Sequence, residues 1–446
     1  MTTVRAGIGK RIITPRVGVP LIGYGNRANV SQGVHDDLLA RAVVIDDGMT
    51  QIALCSIEML WLRKQEIAAI RSIVRARCGV EDANLFLFCT HTHSGPAGHL
   101  SDQWDFSLVE RIAEAIIEAY ETRAPARIGF GFGQLYGYNI NRRWLNRPAD
   151  PSVGVMRINR DDGSPLAILS NYACHAVVLG YDNYLISGDW PGYSSRLLEA
   201  ELGDGTVALF SQGGAGDVNP LTETVRQRLA AGHPVAAIGD VSFYYGYAPD
   251  LPDAWNVGDR GGGTFIECET LARAYNAEVM RIWRRIDVMP ALELWVEHVE
   301  VEAVVTPDEP PAQGVPLGLS SILAEEIGTS IPLDIRLFGI GPAVLFGQPG
   351  EVFSQTAIHF RAHAQRMGYR YPLLISYANG SYAYLPPEDA FSEGGYEVSW
   401  PLGLGISRYT QNRIAEAIEP LLQRHAGQAR AHTVTLTEPE PPSISS

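Results

Sequence analysis

Short apolar runs alternate with longer amphipathic stretches along most of this chain, and a layered α/β architecture buries both kinds of segment at once. Segments 43–46 and 51–57 flank the turn signal Asp47-Gly48 and read as a hairpin. The apolar period then lengthens into a helix over 68–77, shortens to a buried strand over 84–89 (NLFLFC), and lengthens again over 107–122. Strands are expected at 128–134, 153–159 and 166–173, the last two joined by Asp161-Asp162-Gly163, followed by a helix over 190–202 and a strand over 207–211. A helix over 267–286, strands at 333–338 and 343–346, a helix over 352–367, a strand at 373–376 and a helix over 407–424 complete the pattern. The fold class expected is therefore α/β, with layered mixed sheets, flanking helices and an active site at the carboxyl ends of strands.

The 446 residues, 46% of them hydrophobic, suffice for one large core, expected over 1–430. Insertions are expected at 212–262, a Gly/Pro/Asp-rich surface excursion or lid, and at 287–330, where the composition changes. Residues 431–446 read as a C-terminal extension or tail. A formal charge of −15 repels phosphate backbones, which disfavours nucleic acid and anionic membranes as partners. Five cysteines without CxxC spacing argue against both a disulfide scaffold and a cysteine zinc knuckle. There is neither a bilayer-spanning apolar run of ~20 residues nor the apolar core of a signal peptide. A soluble cytoplasmic protein acting on a small molecule is the expectation, with the oligomeric state left open.

Polar residues suited to catalysis follow directly on several strands. They are Thr90-His91-Thr92-His93-Ser94-Gly95-Pro96, Cys174-His175, the run SQGGAGDVNP, Gly347-Gln348-Pro349-Gly350-Glu351, and Asn379 to Tyr384. In parallel α/β sheets helices cover both faces, so sites form beyond the carboxyl ends of strands, and five such clusters point to one active site. In an extended segment His91 and His93 would project to the same side. Zinc takes imidazole nitrogen and carboxylate oxygen, and His91, His175 and Glu351 would supply such a set from three strand ends; the competing reading is that the histidines are only the polar end of a strand. Glu351 also suits a helix N-terminus, worth about 0.3–1 kcal/mol. Asp189 and Asn219 read first as helix caps, with Pro220 as a first helical residue. Gly95 stands where the HxHxDH pattern needs Asp. The loop GGAGD lacks the ending of a Walker loop, and neither GxGxxG nor GxSxG occurs, which argues against nucleotide binding and a serine α/β-hydrolase.

Taken in order, Gly23-x-Gly25 in LIGYG, GVHDDLLARAVVI, THTHSGP, Asn139-Ile140-Asn141-Arg142, His175, SGDWPGY, GGAGDVNP, PGE and a late tyrosine cluster resemble the neutral/alkaline ceramidase family, from about residue 5 to about residue 400. The resemblance implies a hydrolase with one zinc ion per chain that cuts an amide (N-acyl) bond, and an N-acylated lipid as substrate class. By position, His91, His175 and Glu351 match the family's metal ligands, and Tyr384 the tyrosine that completes the zinc site. His93 matches the histidine beside the metal; Arg142 and Tyr396 match residues lining the substrate site. The family's AGDVSP reads AGDVNP here, so Asn219 replaces an active-site serine; it cannot act as a nucleophile but can hydrogen-bond a polar group. At this length the resemblance leads to the expectation of a short member lacking the family's separate C-terminal β-sandwich domain. These departures keep two other readings open. One is the same metal site acting on a smaller polar or sugar-like amide, ester or glycoside; the other is a non-catalytic binding protein.

Overall fold

The expected alternation resolves into two sheets stacked face to face. The computed structural model describes residues 3–434 except 25, 26, 28, 97–102, 145, 232–262, 307, 308 and 310–329. The first sheet holds β1 (Arg5–Ile12), β2 (Leu39–Asp46), β3 (Gln51–Ile57), β4 (Leu85–Cys89), β5 (Ala124–Gln134), β6 (Ser152–Arg160), β7 (Pro165–Tyr172) and β8 (Val207–Gln212). Their order is β8-β7-β6-β5-β1-β2-β3-β4. The second holds β9 (Leu294–Glu302), β10 (Pro332–Ile340), β11 (Ala343–Gly347) and β12 (Tyr371–Ile375), in chain order. The helices are α1 (Lys64–Cys78), α2 (Leu108–Glu121), α3 (Asp189–Leu202), α4 (Glu223–Ala230), α5 (Phe265–Trp283), α6 (Ser354–Met367), α7 (Tyr396–Leu404) and α8 (Thr410–Val434).

The period of two along each strand decides which layer a side chain enters. In β4, Leu85, Leu87 and Cys89 pack with Ile67 and Ile70 of α1 and Ile112 and Ile116 of α2. The alternate residues Phe86 and Phe88 turn inward to Phe338, Leu345 and Leu373 of the second sheet. Helices α3 and α5 cover the other half of the first sheet, where Trp190, Leu271 and Tyr275 meet Ile168 and Phe210. Beyond the second sheet, Val344 and Phe346 pack on Phe360 of α6 and Ile414 and Ile418 of α8. Each sheet therefore carries helices on one face and the other sheet on its second face, the layered mixed sheets with flanking helices that were expected. Ser107 caps α2, and the reciprocal Thr264–Glu267 capping box starts α5. No described helix is long and apolar enough to cross a membrane.

Within the two main sheets three strand pairs are parallel: β3 with β4, β7 with β8, and β11 with β12. Followed through the antiparallel ladders between them, β3 and β4 run opposite to β7 and β8. In a flat sheet their carboxyl ends would lie at opposite edges. The sheet instead turns where β1 and β5 share only two residue pairs, Arg5↔Pro125 and Ala6↔Ala124. This brings β8 against β3, where Ser56 Oγ donates to the Phe210 carbonyl at 2.7 Å. The strand ends are then stitched together: Cys89 N donates to Tyr377 O at 3.2 Å and Ser376 N to Gln212 O at 2.9 Å.

Parts of the two expected insertions lie outside the described residues (232–262, 307, 308 and 310–329). Of the rest, 212–220 is buried rather than on the surface, and Leu294–Glu302 is the edge strand β9. Asn219 and Pro220 do not start a helix. They belong to the short strand Val218–Pro220, which pairs with Asn139–Asn141, and Thr222 caps α4 instead. Helix α8 runs to Val434, past the expected start of the tail; 435–446 lie outside the described residues.

Candidate metal centre

Three imidazoles meet where the parallel strands end. One ring nitrogen from each of His91, His93 and His175 lies within 4.8 Å of the others, and all three rings are buried. Their orientation is set from behind. His91 Nδ1 donates to Leu60 O at 2.9 Å and His175 Nδ1 to Ala215 O at 2.9 Å, which leaves both Nε2 atoms as acceptors facing the cluster. The Nε2 atoms of His91, His93 and His175 have no hydrogen-bond partner among the described residues.

His91 and His93 do not converge by the expected extended geometry. His91 adopts a left-handed conformation, φ 65°, held by its N–H donating to Met59 O at 3.0 Å. Tyr377, Asn379 and Ala383 share that uncommon backbone region, with φ of 56°, 59° and 61°. Such residues cost of order 1–3 kcal/mol each and persist where the surroundings over-determine them. Tyr377 N donates to Gly350 O and Asn379 N to Leu87 O, at 3.1 and 2.7 Å. Asp189, with φ of 54°, is the fifth such non-glycine residue among the described ones.

Glu351 completes the group. Its Oε2 lies 3.6 Å from His91 Nε2 and 3.5 Å from His175 Nε2. Donors about 2.0–2.1 Å from one tetrahedral ion stand roughly 3.4 Å apart, so this spacing suits zinc. Unpartnered buried imidazole nitrogens beside a carboxylate are what such an ion requires. Burial pushes His91 down to about 3 and His93 and His175 well below the usual histidine value, so all three are neutral, the state in which imidazole binds a metal. Burial raises Glu351 to about 7, with the Arg142 charge and hydrogen bonds from Tyr384 and Tyr377 opposing the rise.

A second tier surrounds these four. Glu351 pairs in parallel with Tyr384, which places the Tyr384 ring at the cluster. Arg142, buried directly after the strand Asn139–Asn141, donates from Nη2 to Tyr384 Oη at 2.8 Å and from Nη1 to Asn219 Oδ1 at 3.3 Å. The Tyr396 ring stands edge-on to Tyr384, 5.5 Å between centroids. Eight of the residues singled out from the sequence (His91, His93, Arg142, His175, Asn219, Glu351, Tyr384 and Tyr396) thus belong to one buried neighbourhood. Asp189 is separate from it: its carboxylate accepts from the N–H groups of Val178, Leu179 and Trp190, bracing the loop after His175.

Two residues here were missed by sequence reasoning. Tyr377 stacks on His91, 3.9 Å between ring centroids, and donates to Glu351 Oε2 at 3.3 Å. Glu397 accepts from Arg142 Nε at 2.7 Å. Tyr377 adjoins the run PLLIS and passes for strand, although a tyrosine at a strand end preceding Asn-Gly was a usable signal. Glu397 sits in a helix with an internal proline, Pro401, and no helical period marks it.

Comparison with known proteins bears on the family and the fold. The sequence profile described as neutral/alkaline non-lysosomal ceramidase, N-terminal, matches residues 5–233. Neutral ceramidase B of Dictyostelium discoideum is 31% identical over 241 residues, 46% of this chain and 33% of that protein. The neutral ceramidase of Pseudomonas aeruginosa is 27% identical over 246 residues, 48% of this chain and 37% of that one. The alignments thus span about a third of the curated relatives' length. The crystal structure of neutral ceramidase from Pseudomonas aeruginosa superposes with a TM-score of 0.71 at 20% identity, covering 98% of this chain and 76% of that chain, a likeness of fold.

Proposed function

Because this chain belongs to the neutral/alkaline non-lysosomal ceramidase family, we propose that it is a zinc-dependent amidase hydrolysing the N-acyl bond of a lipid of the ceramide class. The observation that carries this reading is the convergence of His91, His175 and Glu351 with two Nε2 atoms and one carboxylate oxygen turned on one point. Those three and Tyr384 would hold one zinc ion per chain. When bound, zinc supplies Lewis-acid polarisation and lowers the pKa of an attached water toward about 7.

The chain's own groups divide the remaining work. His93 presents an uncommitted Nε2 to the cluster and orients the attacking water. Arg142 is a fixed cation beside Tyr384 Oη, placed to stabilise the negative charge that grows on the carbonyl oxygen. Tyr396 packs edge-on against Tyr384 and would contact a substrate held there. Asn219 supports a second reading, a smaller polar substrate, because its amide bonds Arg142 where a hydroxyl would offer a nucleophile. Cleavage of N-acylated lipids compared with short polar amides, esters and glycosides separates the two. His91→Ala should lose both zinc and turnover; a zinc-free variant with full activity overturns the proposal.

A further inference from the structure

Arg142 is a buried cation with a choice of carboxylates. Glu351 lies on one side, bonded to the same Tyr384 hydroxyl that Arg142 touches. Glu397 lies on the other, 4% exposed, in the first turn of α7. In the structure Arg142 gives its Nε to Glu397 Oε1 at 2.7 Å, and its two Nη groups are thereby left to Tyr384 and Asn219. The second oxygen of Glu397 is occupied as well, accepting from Arg143 Nη1 at 2.9 Å. Arg143 in turn bonds Glu393 and the Gly394 carbonyl, so the carboxylate is anchored on both sides.

We propose that Glu397 is a positioning residue for this site: it is the counter-charge that holds Arg142 against Tyr384 and Asn219 and keeps it from pairing with Glu351. The inference rests on the reading of Glu351 as a metal ligand. A guanidinium buried without a partner seeks the nearest anion, because an unpaired charge away from water is strongly disfavoured. With Glu397 uncharged, the nearest remaining anion on the Tyr384 side is Glu351, and an ion pair there would compete with zinc for the same carboxylate. Groups behind a metal site that fix its ligands typically change metal affinity 10–100-fold when replaced. Glu397 would act one step further back, through Arg142, and on the carboxylate rather than on a histidine.

The test is calorimetric titration of zinc into metal-free protein for four chains: wild type, Glu397→Gln, Glu393→Gln, and the double variant Arg142→Met with Glu397→Gln. Glu397→Gln should bind zinc about 10–100-fold more weakly than wild type, and breaking the buried ion pairs should also lower the melting temperature of the metal-free protein. Removing Arg142 as well should restore zinc affinity to within about threefold of wild type, because the competitor for Glu351 is gone. Glu393→Gln, which alters the ion pairs of Arg143 without touching Arg142, should bind as wild type does. A merely structural glutamate would lower the melting temperature as well but give no rescue of zinc affinity by the second substitution. Wild-type affinity in Glu397→Gln, a double variant no better than the single one, or equal weakening in Glu393→Gln each overturns the role given to Glu397. A wild-type chain that takes up no zinc overturns the metal reading itself, and the inference with it.

Discussion

Gly23→Ala isolates the contribution of His93 without altering any proposed metal ligand. Gly23 has φ 107°, where an L-residue is strained by about 1–2 kcal/mol. A Cβ built there would sit 2.5 Å from His93 Cγ, against 3.4–4 Å for ordinary contact, so the imidazole must retreat by roughly 1 Å. It cannot simply follow its backbone, because Arg27 Nη1 donates to His93 O at 2.8 Å and pins that segment to the loop at Gly180. A misplacement of ~1 Å in a catalytic group is worth about 10²-fold in rate. The expected result is a kcat/KM for fatty-acid release about 100-fold down, with zinc content at the wild-type level and the melting temperature lowered by only a few degrees. Activity within threefold of wild type would show that His93 need not occupy this position. Loss of zinc in parallel with activity would instead make it a ligand.

Three other outcomes follow from the structure. Burial raises Glu351 to about 7 in the metal-free protein, so its contribution to stability is full below about pH 4.5 and is lost as pH rises through 7. Glu351→Gln should therefore be more stable than wild type at pH 8, by up to about 3 kcal/mol, and equal to it near pH 4; urea titrations of metal-free protein that show a deficit at both pH values refute this. Chelating zinc from wild-type protein should lower the melting temperature, since a ligand at 100 times its Kd stabilises by about 2.7 kcal/mol, and an unchanged melting curve counts against the site. Phe86→Ala, which empties the layer between the sheets where Phe86 meets Phe338 edge-on at 5.0 Å, should destabilise by about 3–5 kcal/mol in denaturant titrations; a loss under 1 kcal/mol would mean that layer collapses around the gap.

How much was legible in the sequence follows from the range of the signal that fixed each part. The run NLFLFC announced β4 because burial on both faces leaves no polar alternation, and the histidines after it announced the site. The three parallel pairs of the two main sheets end in clusters that a reader can mark: Thr90 to Pro96, Cys174-His175, the GGAGD loop, Glu351 and Asn379 to Tyr384. Asn219-Pro220 was misleading, since Asn before Pro suits a helix start and only pairing with Asn139–Asn141, far earlier in the chain, makes it a strand. The left-handed φ of His91 was also out of reach, because it is imposed by Met59 and Leu60 on a neighbouring strand end. Glu397 was invisible for a related reason. Its partners Arg142 and Arg143 lie some 250 positions earlier, and no local pattern records them.

The turn of the first sheet at Ala6 and Ala124 carries a consequence for how the molecule comes apart. By folding the sheet it lets His91, His175 and Glu351, from distant stretches of polypeptide, meet beyond the strand ends, so any ion gripped between them would act as a reversible cross-link, closing long loops much as a disulfide does and restricting the unfolded chain most. Opening along that seam would break the cross-link before either helical layer melted, and proteases should find the apo form first.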